Sequence, residues 1–177
     1  MGTDFRIRPA EAADTAEVFR LIKGLAEYEK LSDMVVGNEA MLEASLFGAR
    51  PHCEAMIAER DGRAVGFALF FTTFSTFLCR PGLYLEDLFV EPGHRGHGIG
   101  KAFFREMAKL ALARDCGRFE WRVLDWNAPS IAFYKSLGAA VMPEWHLVRM
   151  TANEFALLAS EKSGIATSSL PAGRSRR

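Results

Sequence analysis

Three cysteines in 177 residues, Cys53, Cys79 and Cys116, are too few and too scattered for a disulfide framework, and none belongs to a C-x-x-C pair that could begin a zinc site. No apolar run is long enough to cross a bilayer, and the opening stretch MGTDFRIRPA lacks the apolar segment of a signal peptide. An excess of one charge is missing too. The 22 basic and 22 acidic residues cancel, so no global field draws the chain to nucleic acid. These absences predict a cytoplasmic, reduced setting with no metal, no nucleic acid and no membrane. What remains is ordinary globular composition, 49% hydrophobic and 25% charged, in a length that suits one domain with a full core.

Along the chain, FRIR at Phe5–Arg8 alternates as a short strand does. Asp14 with Glu17 three residues on predicts a capped helix start, and Val18, Leu21, Ile22 and Leu25 follow at helical spacing, fading near Tyr28 and Glu29. Asn38 is placed to cap a second helix, which Gly48 would end. CEAMIAER and AVGFALFF flank Asp61-Gly62, a strong short hairpin signal. GLYLEDLFV, Gly82–Val90, reads as a strand, followed by a glycine-rich stretch and a helix over about Gly98–Asp115 with Gly117 as its C-cap. RFEWRVL predicts a strand, NAPSIAFYKSL a helix closed by Gly138, WHLVRM a last strand, and NEFALLA a closing turn or helix. The order is that of a mixed α/β domain over residues 1–159, with a mobile basic tail over 160–177.

The stretch EPGHRGHGIGKAFF draws the functional reading. Glycines ahead of a helix gather backbone amides around an anion. A Walker loop fails here twice, with Arg95 at its first glycine and Ala102 where magnesium needs a hydroxyl. The dinucleotide fingerprint fails at Lys101. His94 and His97 lack a local third ligand for a metal. A glycine-rich turn with no ligand is the plain structural alternative.

Arg95-Gly96-His97-Gly98-Ile99-Gly100 reads R-G-x-G-I-G and resembles the pyrophosphate loop of the GNAT superfamily, the acyl-CoA-dependent N-acyltransferases. The stretches RPAEAADTAEVFRLIKGLAEYE, LYLEDLFV and WNAPSIAFYKSLGA are similar to its diamine acetyltransferase branch, which includes spermidine/spermine and thialysine acetyltransferases. The likeness runs from Phe5 to Phe155. It implies a GNAT fold with a mixed, mostly antiparallel sheet flanked by helices, acetyl-CoA as co-substrate, a small amine as acceptor, and a homodimer. It also implies that the loop amides, and the charge of Arg95, meet the pyrophosphate of coenzyme A.

Acetyl transfer to an alkylamine needs a base and an acid on opposite sides of one carbonyl. In NAPSIAFY, Asn127, Ser130 and Tyr134 share one helix face. Tyr134 matches the family's tyrosine acid, which protonates the departing sulfur, although a lone tyrosine is more commonly amphipathic core. Asn127 and Ser130 match positions lining the cofactor arm, besides being suited to capping. Glu86 and Asp87 are neighbours in a strand, hence expected on opposite faces, with at least one a solvated carboxylate. Glu86 matches the position that takes the amine proton through water and binds the cationic acceptor. Leu88, Phe89 and Val90 match the strand segment whose backbone holds the pantetheine arm and polarises the thioester carbonyl. Tyr28, Glu29, Asp87, Glu120 and Trp121 match substrate contacts.

One departure stands out. Where polyamine acetyltransferases of this branch carry an acid before the Y-L-E-D strand, this chain has Thr76, which favours a short diamine or an amino acid with a terminal amine over a long polyamine. A protein amine as acceptor, and an acyl-CoA-binding module without turnover, are the rival readings.

Overall fold

Both residues of the Asp61-Gly62 pair take positive φ, 52° and 74°, the type I′ geometry whose twist matches the strands it joins. It turns β2 (Glu54–Arg60) into β3 (Arg63–Ser75) in the computed structural model, which describes residues 4–160. β4 (Arg80–Val90) runs back along β3, β1 (Arg6–Pro9) lies on the other side of β2, and β5 (Arg118–Trp121) joins β4. The sheet order is β1-β2-β3-β4-β5, antiparallel except for the parallel β4–β5 pair. This mixed, mostly antiparallel sheet with flanking helices is the architecture expected.

Three helices of this unit cover the sheet: α1 (Thr15–Tyr28), α2 (Glu39–Phe47) and α3 (Ile99–Ala113). On one face Val18, Leu21 and Leu25 of α1 pack with Ile57, Phe67 and Phe89, and Leu42 of α2 joins them. α3 covers the opposite face with Ile99, Phe103, Met107 and Ala111, a buried stripe repeating every four residues. Gly66 lets the backbones close up there. A Cβ on it would meet the Phe89 carbonyl oxygen at 2.8 Å, with Phe103 close behind.

The chain divides after Asn127 into a second compact unit. Its elements are α4 (Ala128–Ser136) and α5 (Ala152–Ser160). Gly138 closes α4 at φ 91°, with Ala139 N donating to Tyr134 O and Gly138 N to Lys135 O. Apart from Ser160, the expected tail lies outside the described residues. Among the described residues no helix is long and apolar enough to cross a membrane.

Four local expectations need correction. Asp14 sits at the N-cap of α1 but gives it no side-chain bond. Its carboxylate turns back to the Glu11 amide at 2.7 Å and to Arg8, and Arg8 holds its pKa low. Gly117 does not cap α3. Asp115 takes the left-handed position at φ 53°, and Gly117 instead keeps clear of Leu78, whose Cδ1 a Cβ would meet at 2.7 Å. The RFEWRVL strand stops at Trp121. WHLVRM is not a strand: strand-like composition makes no strand without a ladder partner, and the second unit shows no other strand among its described residues.

Gly66→Ala is expected to lower the unfolding free energy by about 2 kcal/mol. Gly93→Ala, whose added Cβ meets nothing within 4 Å, should stay within about 0.5 kcal/mol of wild type. Denaturant midpoints of the two variants check the contrast.

Candidate active site

β4 carries one residue more than β3 can pair. Leu85 faces Phe70 and Asp87 faces Leu69, so Glu86 is the extra residue of a β-bulge. The bulge reverses the alternation. Before it, Leu83 and Leu85 point to the α3 face; after it, Asp87 and Phe89 share the α1 face with Leu69 and Phe67. Glu86 and Asp87, expected on opposite faces, therefore lie on the same one. Glu86 is exposed and Asp87 half-buried. Burial, with Glu86 and then Glu29 beside it, pushes the Asp87 carboxyl up to about 6.

Glu29 reaches this cluster from the end of α1. Lys30 takes a left-handed turn at φ 60°, with Leu31 N donating to Ala26 O and Lys30 N to Glu27 O, which stops the helix and leaves Tyr28 and Glu29 at its rim. Burial raises the Glu29 carboxyl as well. Three carboxylates thus share one face, favouring a cation that relieves their mutual repulsion.

The glycine loop follows β4 directly. Gly96 and Gly98 take φ 79° and 85°, a conformation that favours glycine. Side chains added at Gly93, Gly96 or Gly98 would meet nothing within 4 Å, so the loop's outer side is open. No side chain caps α3 and no acid lies in its first turn. The donor set is backbone N–H at the positive end of a 15-residue helix, chemistry that fits a diphosphate such as that of coenzyme A.

Arg95 behaves differently from expectation. Its Nε donates to Val90 O at 2.8 Å, and its guanidinium lies 4.5 Å from the Tyr28 ring and 5.5 Å from that of Phe89. The side chain ties the loop to β4 and α1 rather than standing over the open loop. His97 is held by its Nδ1, 2.8 Å from Arg95 O. Glu91 adds a second tie, accepting from Arg20 at 2.6 Å and Arg63 at 2.9 Å.

β5 pairs with Gly82–Leu85 only. Leu88, Phe89 and Val90 therefore have β3 on one side and, among the described residues, no ladder partner on the other, so this edge of β4 is open to another chain-like group. The parallel register sets Glu120 beside Tyr84, on the face of the carboxylates, and Trp121 beside Leu85, on the face of α3. Trp121 packs against Phe104 at 4.8 Å and Phe119 at 5.0 Å. It is not brought together with Glu86 and Asp87, because strand alternation sends neighbours to opposite faces. Thr76 lies beyond the far end of β4, about 20 Å from Glu86 at strand rise, out of reach within one chain. Asn127 is buried at the end of the first unit, and Ser130 and Tyr134 lie a helical turn apart on α4 of the second.

Two residues on the carboxylate face escaped the sequence reading. Tyr84 buries its hydroxyl without a hydrogen-bond partner, and Arg122 sits over its ring, 5.6 Å from the centroid. Period-two alternation in FEWR, charged at 120 and 122, was the available signal.

Asp87 has a pKa above the usual carboxylate value of about 3.9. Between roughly pH 4 and 6 the folded state holds a proton that the unfolded chain has lost, so stability rises as pH falls through 6, and the ionised carboxyl weakens the fold above it. Asp87→Asn is expected to gain on the order of 2 kcal/mol at pH 8, a gain that fades towards pH 4. Chemical denaturation across that range checks it.

The comparisons with known proteins agree with this geometry. The model of the acetyltransferase (GNAT) family matches residues 22–139. Thialysine N-epsilon-acetyltransferase of Sus scrofa is 39% identical over 154 residues, spanning 81% of this chain and 90% of that protein. L-ornithine N5-acetyltransferase of Arabidopsis thaliana is 31% identical over 205 residues, spanning 90% and 89%. Among solved structures, an integron cassette protein from the mobile metagenome of V. cholerae matches with a TM-score of 0.75 at 26% identity, over 90% of this chain and 99% of that one. With its loop, its sheet and these relatives taken together, the chain belongs to the GNAT family of acetyltransferases and is an acyl-transferring enzyme.

Proposed function

We propose that this enzyme moves an acetyl group from acetyl-CoA to a terminal primary amine of a small diamine, polyamine or thialysine/ornithine-like amino acid, by direct attack in a ternary complex. The observation that carries this reading is the group of carboxylates, Glu29, Glu86 and Asp87, on one face beside the open edge of β4. Acetyl-CoA supplies the acyl group already activated as a thioester. The amides of the loop from Arg95 to Gly100 hold its pyrophosphate, and the free edge of Leu88, Phe89 and Val90 takes the pantetheine arm, with Asn127 and Ser130 along it.

An alkylamine has a pKa near 10.4, so at pH 7 only about one in 2,500 is neutral and nucleophilic. The carboxylate face attracts the ammonium form, with Tyr28, Glu29, Asp87 and Glu120 around it. Glu86, the exposed member, takes the proton through water. Asp87 is mostly ionised at pH 7 with a carboxyl pushed up to about 6, so it adds negative charge for binding the ammonium. Tyr134 presents its hydroxyl to the departing sulfur. Proton transfer from a tyrosine of pKa about 10 to a thiolate of pKa about 8.5 is uphill by roughly 2 kcal/mol, so as the acid Tyr134 is either partly acidified or mainly hydrogen-bonds the sulfur.

The homodimer stays part of this proposal, supported by the exposed apolar tip of the β3–β4 hairpin, Phe74, Phe77 and Leu78. The cytoplasm does too, supported by three free thiols, Cys53, Cys79 and Cys116.

The test is kcat/KM from CoA thiol release, with spermidine, a short diamine, thialysine, ornithine and lysine as acceptors. Turnover of at least one is expected, and silence across the panel moves the acceptor to a protein amine. Glu86→Gln is expected to lose about a hundredfold in kcat/KM with an altered pH profile, and an unshifted profile removes the base role. Tyr134→Phe should lose well over half of kcat; retention of more than half removes the acid role.

A further inference from the structure

Acids alone do not make up the carboxylate face. Beyond the end of β5, Arg122 continues the alternation of Glu120 and stands on the side of Tyr84 and Glu86. Its guanidinium is held over the Tyr84 ring at 5.6 Å, a cation–π contact that fixes where the charge sits. It is exposed, and no carboxylate lies within 4.0 Å of it among the described residues. Glu120, the nearest acid along the strand, leans instead on Arg118 at 3.6 Å. Arg95 is tied to Val90 O and Arg118 to Glu120, so the face has an acidic side, formed by Glu29, Glu86 and Asp87, and, where β4 and β5 separate, a cation in Arg122 that makes no ion pair among the described residues.

That division matters for the acceptor. A diamine or polyamine presents cations at every charged point, and an arginine repels them. An amino acid with a terminal amine presents an ammonium at one end and a carboxylate a few bonds away at the other. Glu86 and Arg122 each follow the last paired residues of β4 and β5, Leu85 and Trp121, so their backbones start about one strand spacing, roughly 5 Å, apart and diverge from there. This suits the two ends of such a molecule. The planar fork of an arginine matches a carboxylate with two parallel hydrogen bonds.

We propose that Arg122 binds the carboxylate of the acceptor and selects amino acids with a terminal amine over diamines and polyamines. This rests on the reading of the enzyme as a small-amine acetyltransferase and names the acceptor class within it.

The test compares each amino acid with the diamine that remains when its carboxylate is removed, ornithine against putrescine and lysine against cadaverine, in wild type, Arg122→Gln and Arg122→Lys. In Arg122→Gln the amino acid:diamine ratio of kcat/KM is expected to fall about ten- to a hundredfold, mainly through KM for the amino acid, with the diamine unharmed or improved. Arg122→Lys should recover part of the ratio. An unchanged ratio overturns the proposal. So does an equal loss for both acceptors, which marks support of Tyr84 instead. Calorimetric titration of ornithine into wild type and Arg122→Gln, with CoA present, reads the same contact without turnover. Ornithine binding lost in the variant upholds Arg122 even if the wild type turns over no amine, a result that would refute the transfer reading alone. Equal binding, or none to the wild type, overturns the Arg122 proposal whatever the turnover.

Discussion

Between Leu85 and Asp87 the β4 backbone holds one residue that β3 cannot pair, and both the core and the site are arranged around it. Upstream, Leu83 and Leu85 fill the α3 face; downstream, Phe89 turns to the α1 face and completes the cluster with Val18, Leu21 and Phe67. Without the extra residue Phe89 would leave that cluster and Asp87 would point to the apolar side of α3, where an ionised carboxylate has no compensation. The same shift brings Glu86 and Asp87 to one side, within electrostatic reach of Glu29. A bulge is also where a strand bends and twists more strongly, and β5 stops pairing with β4 at Leu85, next to it.

The loop after β4 depends on that strand end being held. Arg95 ties Val90 O to the Tyr28 ring, and Glu91 is gripped by Arg20 and Arg63. Three arginines are thus spent on internal ties, and the open side of the loop presents backbone N–H. The result separates two electrostatic environments in a short span of chain: amides and a helix N-terminus suited to an anion, and carboxylates suited to a cation. An acyltransferase that joins an anionic donor to a cationic acceptor needs both.

Much of the fold was legible along the chain. The strands at FRIR and GLYLEDLFV, the helix after the glycine loop, the Asn38 cap and the Asp61-Gly62 turn all depend on local geometry, and all five appear as read. So did the family, through R-G-x-G-I-G and the three longer stretches. The misreadings have a common cause. Asp14 had a choice of partners, and an arginine from β1 won it; Gly117 looked like a cap as a glycine just past the helix, but Asp115 turns left-handed first and Gly117 lies against Leu78; WHLVRM has strand composition but no ladder. Each was settled by what lay across from the residue in space.

The site divides along the same line. Residue types, their spacing and the glycine loop named an anion cradle, a pair of acids and a family, because amide clustering, helix starts and alternation are properties of consecutive residues. Faces were another matter. A strand read alone alternates strictly, so Glu86 and Asp87 had to part company and Trp121 could stand anywhere on its strand's surface. Pairing with β3 inserted the bulge that reunites the two acids, register with β5 sent Trp121 to the aromatic cluster under α3 and Glu120 to the carboxylate side, and stacking on Tyr84 brought Arg122 to the same side. Those are contacts between residues distant in sequence, and register is decided only when the strands meet.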